Sequence, residues 1–183
     1  MHDATAIALI TARYHDVFGA SLTPCFSSYL SADRPGSMGA ALGYRRAGEQ
    51  PLFLEAYLDR PVERLVSEAL GRNVERNAIV EIGNFAAGNA MAMIELWGAA
   101  ANDLGSASEV AVATLTAPLR RMFARIGIPL HVLASASLAR IGADAGVWGR
   151  YYDNDPQVCA GLIAQGQAAI ARFLEPRQRK AAA

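Results

Sequence analysis

The sequence predicts a single mixed α/β domain. Its 183 residues, 52% of them hydrophobic, are enough to build one sizeable core. Helical and extended patterns alternate along the chain, which favours helices packed on a sheet over an all-helical bundle. Glycines stand where several of the predicted helices should end. We therefore expect residues 1–183 to form one domain, with 177–183 as a flexible tail.

The first predicted elements are a helix and a pair of strands. Residues 4–18 place apolar side chains three or four positions apart on one helical face, namely Ile7, Ile10, Tyr14 and Phe18. Residues 22–30 and 39–46 have the pattern of strands, and the loop 31–36 between them is rich in turn-forming residues. The two strands are expected to form a hairpin-like pair.

A second helix is predicted after this pair. Residues 50–59 are compatible either with a strand or with the start of a helix. Pro61 suits the first turn of a helix over 62–70, because proline lacks the N–H that this turn leaves unpaired. Gly71 is expected to end that helix.

The second half of the chain alternates strands with helices. The predicted strands are the run around Glu81 and the segments 109–116 and 129–136. Their spacing is typical of adjacent parallel strands with covering helices. A terminal helix is predicted over 161–174.

Local signals mark the ends of the two helices between these strands. Asn89 is expected to cap the first helix and Gly105 to end it. Thr116 can cap the second, with Pro118 just inside its start and Gly127 at its end.

Composition argues against several classes of function. Seventeen basic and seventeen acidic side chains cancel, so no overall charge attracts nucleic acid or an anionic membrane. Cys25 and Cys159 are far apart and lack a neighbouring histidine, which indicates neither a metal site nor a disulfide framework. The N-terminal residues do not have the pattern of a secretory signal, and no segment approaches membrane-spanning length. We expect a cytoplasmic protein without a metal.

One carboxylate stands inside an apolar run. Glu81 lies between Val80 and Ile82, where an ionised carboxylate is costly unless it is paired or protonated. A catalytic or substrate-binding role is one reason to keep it there. A structural ion pair with Arg45, Arg76 or another cation is the other, and both interpretations stay open.

Small residues follow this carboxylate. The turn 85–89 allows a backbone to approach a ligand, and the helix that it opens presents free N–H groups to an anion. The same small residues are equally suited to tight packing of a strand against a helix. The first interpretation predicts a phosphate-bearing substrate beside Glu81.

These features are compatible with base catalysis by Glu81, for example in an acyl transfer. An amine that attacks a thioester must lose a proton, and Glu81 with a raised pKa is the predicted catalytic base near neutral pH. Backbone N–H groups near Asn84 and Phe85 are expected to stabilise the oxyanion. The residues predicted to bind or orient the acceptor are Arg45, Glu55, Trp148 and Tyr152. The aromatic residues are also compatible with a place in the core, and Glu55 with a solvated face.

Three separated motifs carry a family resemblance. They are Phe53-Leu54-Glu55-x-Tyr57-Leu58-Asp59-x-Pro61-x-Glu63, Val80-Glu81-Ile82-Gly83-Asn84-Phe85-Ala86, and Trp148-Gly149-x-Tyr151-Tyr152 ahead of Pro156-x-Val158. Over roughly residues 5–170 the chain resembles the thermostable hemolysin family of bacterial proteins. The resemblance implies a GNAT-like acyltransferase domain, similar to acyl-homoserine-lactone (autoinducer) synthases. Such a domain has a central mixed, mostly antiparallel sheet with one parallel pair, flanked by helices.

The resemblance also implies where an acyl donor binds. In this superfamily the pantetheine of the donor runs beside the strand that matches the Glu81 strand, and its pyrophosphate lies on the N-terminus of the next helix. The donor-binding residues that this implies are Asn84, Phe85, Ala86, Ala87, Gly88 and Asn89. The usual acetyl-CoA loop has a basic residue before its glycine, whereas Ala87 precedes Gly88 here. This departure leaves the choice between two donors open. The resemblance implies acyl-CoA or acyl carrier protein (acyl-ACP) as a co-substrate, with no permanently bound cofactor.

The predicted function is transfer of a fatty acyl group from acyl-CoA or acyl-ACP to a small amine or amino acid. A membrane-lytic protein, as the family name states, and a non-catalytic acyl-binding module are the alternatives. Lysis has little support in the sequence, because the one cationic segment is the short tail 177–180.

Overall fold

The structure is a computed structural model that describes residues 2–32 and 39–181. In that part of the chain the helices are α1 His2–Phe18, α2 Val62–Leu70, α3 Ala90–Leu104, α4 Ala117–Ile126 and α5 Ile163–Ala181. The strands are β1 Ser28–Ala32, β2 Ala40–Arg46, β3 Ile79–Ala87, β4 Val110–Leu115, β5 His131–Ser135 and β6 Gln157–Leu162. A short 3₁₀ turn, Phe53–Tyr57, lies where the sequence left strand and helix open.

The strands form one sheet in the order β1-β2-β3-β4-β6-β5. Neighbouring strands are antiparallel except β3 and β4, which run parallel. The predicted mixed α/β fold, with a mostly antiparallel sheet and one parallel pair, is therefore confirmed. The parallel pairing joins Ile79–Glu81 to Val110–Val112 and extends no further along the two described strands.

The prediction of a third adjacent parallel strand is wrong, because β6 lies between β4 and β5. It pairs antiparallel with both. The predicted terminal helix also begins too early, since residues 161 and 162 belong to β6 and α5 starts at Ile163. The apolar run Val158-Cys159-Ala160 is buried on both faces of the sheet. Such a run has no alternation by which to distinguish a buried strand from a helix.

The first predicted strand is displaced. It covers Ser28–Ala32 rather than 22–30, and the segment 22–27 makes no ladder with β2. Within that segment the ring of Phe26 lies against the sheet over Gly43 and Gly83. A Cβ atom on Gly43 would lie 2.6 Å from that ring, and a Cβ atom on Gly83 would lie 2.8 Å from it. Of the predicted turn 31–36, residues 31 and 32 belong to β1 and 33–36 lie outside the described residues.

Most of the locally encoded helix ends are confirmed, but the side chain of Thr116 accepts no capping hydrogen bond at the start of α4, contrary to the prediction. The side chain of Asn89 accepts a hydrogen bond of 2.9 Å from the N–H of Ala92, as an N-cap should. Gly71 and Gly127 end α2 and α4 with φ of +66° and +85°, a conformation that costs glycine little.

The sheet separates two layers of the core. Helices α3, α4 and α5 cover one face, while α1, α2 and the Phe53–Tyr57 turn cover the other. Because side chains alternate along a strand, Glu81 faces the second layer and Ile82 faces the first. Adjacent residues of β3 therefore reach opposite sides of the sheet.

Candidate active site

The site is built where β3 and β4 separate. Beyond Glu81 and Val112 the two parallel strands no longer pair, which leaves an opening in the sheet. On its other side β3 is bulged, since Gly43 pairs with Gly83 but Ala41 pairs with Ala86. Asn84 within this bulge has a positive φ of 52°. Bulges of this kind leave a residue out of the ladder and redirect the strand.

Glu81 is held at the edge of this opening. Its side chain is 4% exposed. One carboxylate oxygen accepts the N–H of Phe53 at 2.8 Å and the other accepts the N–H of Leu54 at 3.0 Å. The Nε atom of Arg45 lies 3.4 Å from the first of these oxygens. Glu81 thus anchors the start of the 53–57 turn, and each oxygen retains capacity for one more hydrogen bond.

Burial dominates the acidity of this carboxyl group. It raises the pKa of Glu81 to about 7, against the lowering effects of the Arg45 charge and the two backbone N–H groups. Near neutral pH, Glu81 therefore exists in both protonation states, which is the condition for a general base.

Arg45 is the cross-strand neighbour of Glu81 on β2. It donates a hydrogen bond of 3.0 Å to the carbonyl oxygen of Cys25, and its guanidinium lies 4.6 Å from the centre of the Phe26 ring. The ion pair with Glu81 that the sequence left open as a structural alternative is present in the structure. The predicted contact of Arg45 with an acceptor stays a prediction.

Glu55 has a different set of partners. Its two oxygens accept hydrogen bonds of 2.7 Å each from the guanidinium of Arg76, and one also accepts the N–H of Leu52 at 3.0 Å. The hydrogen bonds from Arg76 lower the pKa of Glu55. Arg76 also binds Glu63 at 3.0 Å and the carbonyl oxygen of Ala47 at 2.9 Å. The cluster ties the 53–57 turn to α2, and the role of Glu55 toward a substrate stays a prediction.

We call the space in front of Glu81 the carboxylate cleft. Its walls carry the polar residues Glu81, Asn84 and Thr114 and the aromatic residues Tyr14, Phe26, Phe53, Tyr57, Trp148 and Tyr151. Of the predicted acceptor residues, Trp148 lines the cleft directly. Tyr152 supports it from behind through a hydrogen bond of 2.5 Å between its hydroxyl group and that of Tyr57.

Five of these aromatic residues, Tyr151 among them, were not predicted as site residues. Tyr14 has the spacing of a core helix position, and Phe26 stands in a segment that was interpreted as a strand. Phe53 and Tyr57 belong to a quoted motif, which was the available signal for them. Only the packing of α1 and two turns against one sheet face brings them together.

A second space lies on the opposite face of the sheet, and we call it the apolar cavity. Carbon atoms form nearly all of its wall. Its wall comes from α3, α4, α5, β4 and β6, including Trp97, Ala113, Phe123 and Gly166. Ile82 lines both the apolar cavity and the carboxylate cleft. The residue that follows Glu81 therefore contributes to the walls of both spaces.

The predicted donor segment runs past the bulge into α3. Asn84 lines the carboxylate cleft, while Phe85, Ala86 and Ala87 are buried. The N–H of Gly88 donates 3.2 Å to the carbonyl oxygen of Gly39. The contact of the segment 84–89 with an acyl donor stays a prediction.

Within residues 2–32 and 39–181, no three histidine, cysteine or acidic residues are grouped as metal ligands. No helix in the same ranges is both long and apolar enough to cross a membrane.

The fold is shared with several proteins of known structure. The chain is similar to the crystal structure of TofI in a ternary complex with an inhibitor and MTA, with 18% identity, a TM-score of 0.55 and coverage of 92% of this chain and 90% of that one. It is similar to MesI, a CoA-dependent acyl-homoserine lactone synthase, with 11% identity, a TM-score of 0.54 and coverage of 94% and 88%. FeeM, an N-acyl amino acid synthase from uncultured soil microbes, matches with 13% identity, a TM-score of 0.55 and coverage of 92% and 94%.

At these identities the likeness establishes the fold, and it confirms the predicted GNAT-like domain. No curated protein matches the sequence. The family model for thermostable hemolysin matches residues 2–167. The chain belongs to the thermostable hemolysin family.

Proposed function

We propose that this protein is an acyltransferase that moves a fatty acyl group from a thioester to a small amine or amino acid. The observation that carries the proposal is that two unlike spaces, on opposite faces of the sheet, share Ile82 as a wall residue. A fatty acyl chain requires a long apolar space, and the apolar cavity has almost no polar wall. A proton-transfer step requires a group that titrates near neutral pH, and Glu81 lines the adjoining carboxylate cleft.

The reaction balances with groups at hand. The amine nitrogen forms a bond to the thioester carbon and the carbon–sulfur bond breaks. The proton of the amine passes to Glu81, directly or through one water molecule. The thiolate leaves and takes up that proton from Glu81, directly or through water, which restores the carboxylate. Backbone N–H groups at the bulge near Asn84 and Phe85 stabilise the tetrahedral oxyanion.

The remaining predicted residues take supporting roles. Trp148 forms part of the acceptor wall, and Tyr152 fixes Tyr57 in that wall. Arg45 keeps Glu81 partly ionised near neutral pH, because its charge opposes the effect of burial on the pKa. Glu55 holds the 53–57 turn whose N–H groups bind Glu81.

The donor is acyl-CoA or acyl-ACP, and its pantetheine lies along the segment Asn84–Asn89. The likeness to MesI, a CoA-dependent acyl-homoserine lactone synthase, and to FeeM, an N-acyl amino acid synthase, supports this choice of chemistry. The N-terminus of α3, which Asn89 caps, is available to the donor's phosphate groups.

The direct test is turnover by the purified protein. Butanoyl-, octanoyl- and dodecanoyl-CoA and octanoyl-ACP are each incubated with phenethylamine, L-phenylalanine and homoserine lactone. We expect release of thiol together with an N-acyl product detected by mass spectrometry. Binding of the donors without turnover would instead indicate an acyl-binding module. Leakage of dye from protein-free lipid vesicles on addition of the protein alone would indicate a lytic protein.

A cavity variant tests the place of the acyl chain. Gly166 lines the apolar cavity, and a Cβ atom there would meet no atom within 4 Å. Gly166→Leu is therefore expected to fold and to fill the cavity. It should lower kcat/KM for dodecanoyl-CoA much more than for butanoyl-CoA. Gln165→Leu, at an exposed position of the same helix, is the matched control. Equal effects on both chain lengths would place the acyl chain elsewhere.

A further inference from the structure

Thr114 carries a buried polar atom without a partner. Its hydroxyl oxygen is shielded from solvent and makes no hydrogen bond with any described residue. The carbonyl oxygen of the same residue, in contrast, accepts the hydroxyl of Tyr151 at 3.4 Å. Buried hydroxyl groups are normally hydrogen-bonded, and an unpaired one is costly. Valine has nearly the same shape without this cost, so packing alone does not account for the threonine.

The Thr114 hydroxyl group lies on the same face of the sheet as Glu81, at the point where β3 and β4 separate. Val112 is the last residue of β4 that pairs with β3, opposite Glu81. Side chains alternate, so Thr114 points to the same face of the sheet as Val112 and Glu81. It stands two residues further along the strand, about 7 Å beyond Val112, where the strands have separated. Thr114 and Glu81 both line the carboxylate cleft, one from each strand.

We propose that the Thr114 hydroxyl group is a second hydrogen-bond partner of the acceptor amine. This inference rests on the proposed function and adds a residue to it. A primary amine has two N–H bonds and one lone pair. If Glu81 accepts one N–H and the Thr114 oxygen accepts the other, the lone pair is directed between the strands. That is where a thioester enters from the apolar cavity.

The face on which Thr114 lies assigns it to the acceptor rather than to the acyl chain. Its neighbours Ala113 and Leu115 line the apolar cavity, on the other side of the sheet. Thr114 is absent from the lining of that cavity. During the reaction the hydroxyl group changes no bond of its own, and the proton released by the amine goes to Glu81.

The test compares Thr114→Val with Thr114→Ser, which restores a hydroxyl group. Thr116→Val makes the same change two residues away, at a buried threonine whose side chain caps no N–H of α4. Rates are measured with octanoyl-CoA and the best acceptor of the panel above, varying each substrate separately. We expect Thr114→Val to lower kcat/KM for the acceptor about ten- to a hundredfold while KM for octanoyl-CoA stays the same. Thr114→Ser should recover most of the rate, and Thr116→Val should match the wild type.

Thermal unfolding gives an independent readout. Because the hydroxyl group is unpaired in the free protein, Thr114→Val should unfold at the same temperature as the wild type or higher. A clear loss of stability in Thr114→Val would mean that the hydroxyl group has a structural partner, and would overturn the proposal. So would unchanged acceptor kinetics, or an effect confined to octanoyl-CoA. Absence of turnover in the wild type would remove the proposed function itself, whereas an active wild type with a fully active Thr114→Val removes only the role of Thr114.

Discussion

Glu81 and Glu55 both face an arginine, yet the two carboxylates have opposite properties. Glu55 is 23% exposed and receives two hydrogen bonds of 2.7 Å from Arg76, and its pKa is lowered. Glu81 is 4% exposed and lies 3.4 Å from a single nitrogen of Arg45, and its pKa is raised to about 7. Aligned donors outweigh burial at Glu55, while burial outweighs an imperfect ion pair at Glu81.

The difference shows what separates a fully paired carboxylate from one that titrates near neutral pH. Arg76 uses its fork on Glu55 and also binds Glu63 and the backbone of Ala47, so this cluster has little capacity left for a ligand. Arg45 donates a hydrogen bond to the carbonyl oxygen of Cys25, and its Nε atom makes no hydrogen bond with any described residue. Glu81 therefore keeps both a high pKa and a free side toward the cleft.

The largest expected effect follows from removing the base. Glu81→Gln should lower kcat about 10²- to 10⁴-fold, the usual contribution of general base catalysis, whereas Glu55→Gln should keep most of the activity. The pH profile of kcat/KM should rise through about pH 7 in the wild type and in Glu55→Gln, because Glu81 must be ionised to accept a proton. That limb should be missing in Glu81→Gln.

The control for this comparison is the fold. Glutamine at position 81 can still accept one of the N–H groups of Phe53 and Leu54, so Glu81→Gln should give an unchanged circular dichroism spectrum. Equal turnover in Glu81→Gln and the wild type would remove Glu81 from the mechanism. It would leave this residue with the structural role already played by Glu55.

Much of the fold was predictable because its signals are local. Asn89, Gly71 and Gly127 encode helix ends by their own conformational preferences, and all three act as expected. Strand β6 was missed because its order beside β4 depends on pairing with residues some 45 positions away. Burial on both faces also removed the alternation that would have marked it as a strand.

In the candidate site, too, only the feature with a local sequence signal was predictable. Glu81 was identifiable from the sequence because a charged residue in an apolar run needs an explanation. Its two N–H partners and its arginine come from the register of β2 with β3 and from the 53–57 turn, which no local pattern specifies. The apolar cavity was not predicted at all. It forms only when three helices pack on a splayed sheet, while each lining residue by itself is an ordinary core residue.

The second largest expected effect is that of Glu81 on the pH dependence of the free energy of unfolding. In the unfolded chain Glu81 should titrate at its ordinary pKa of 4.5, while in the folded protein its pKa is about 7. The folded state therefore binds the proton more tightly, and this stabilisation is complete below pH 4.5 and lost as the pH rises to about 7. At about 1.4 kcal/mol per pH unit, the free energy of unfolding should fall by roughly 3 kcal/mol relative to Glu81→Gln across this interval. Urea denaturation of both proteins between pH 4.5 and 8 measures it, and parallel curves would contradict the raised pKa.

A smaller loss is expected at the structural carboxylate. Glu55→Gln replaces two charge-assisted hydrogen bonds to Arg76 with weaker ones and should reduce the free energy of unfolding by about 1–2 kcal/mol. Because the native pKa of Glu55 is lowered, this difference should be present at neutral pH and disappear as the pH falls into the acidic range. Glu68→Gln, which removes an exposed ion pair with Arg60 on the same helix layer, is the control and should change stability far less. A loss in Glu55→Gln that persists unchanged at acidic pH would rule out its ion pair as the source.

The smallest expected effect is a shift of the pH profile in variants of Arg45. Two variants distinguish the role of its charge from that of its geometry. Its positive charge lowers the pKa of Glu81, so Arg45→Gln should move the limb of the pH profile to higher pH. Arg45→Lys keeps the charge but loses the planar contact with the Phe26 ring and should leave the limb near pH 7. If both variants lose activity without moving the limb, Arg45 acts on the acceptor or on the position of Phe26 rather than on Glu81. If only Arg45→Gln moves it, the imperfect ion pair is what keeps Glu81 titrating near neutral pH, and the contrast with the fully paired Glu55 has a functional reason.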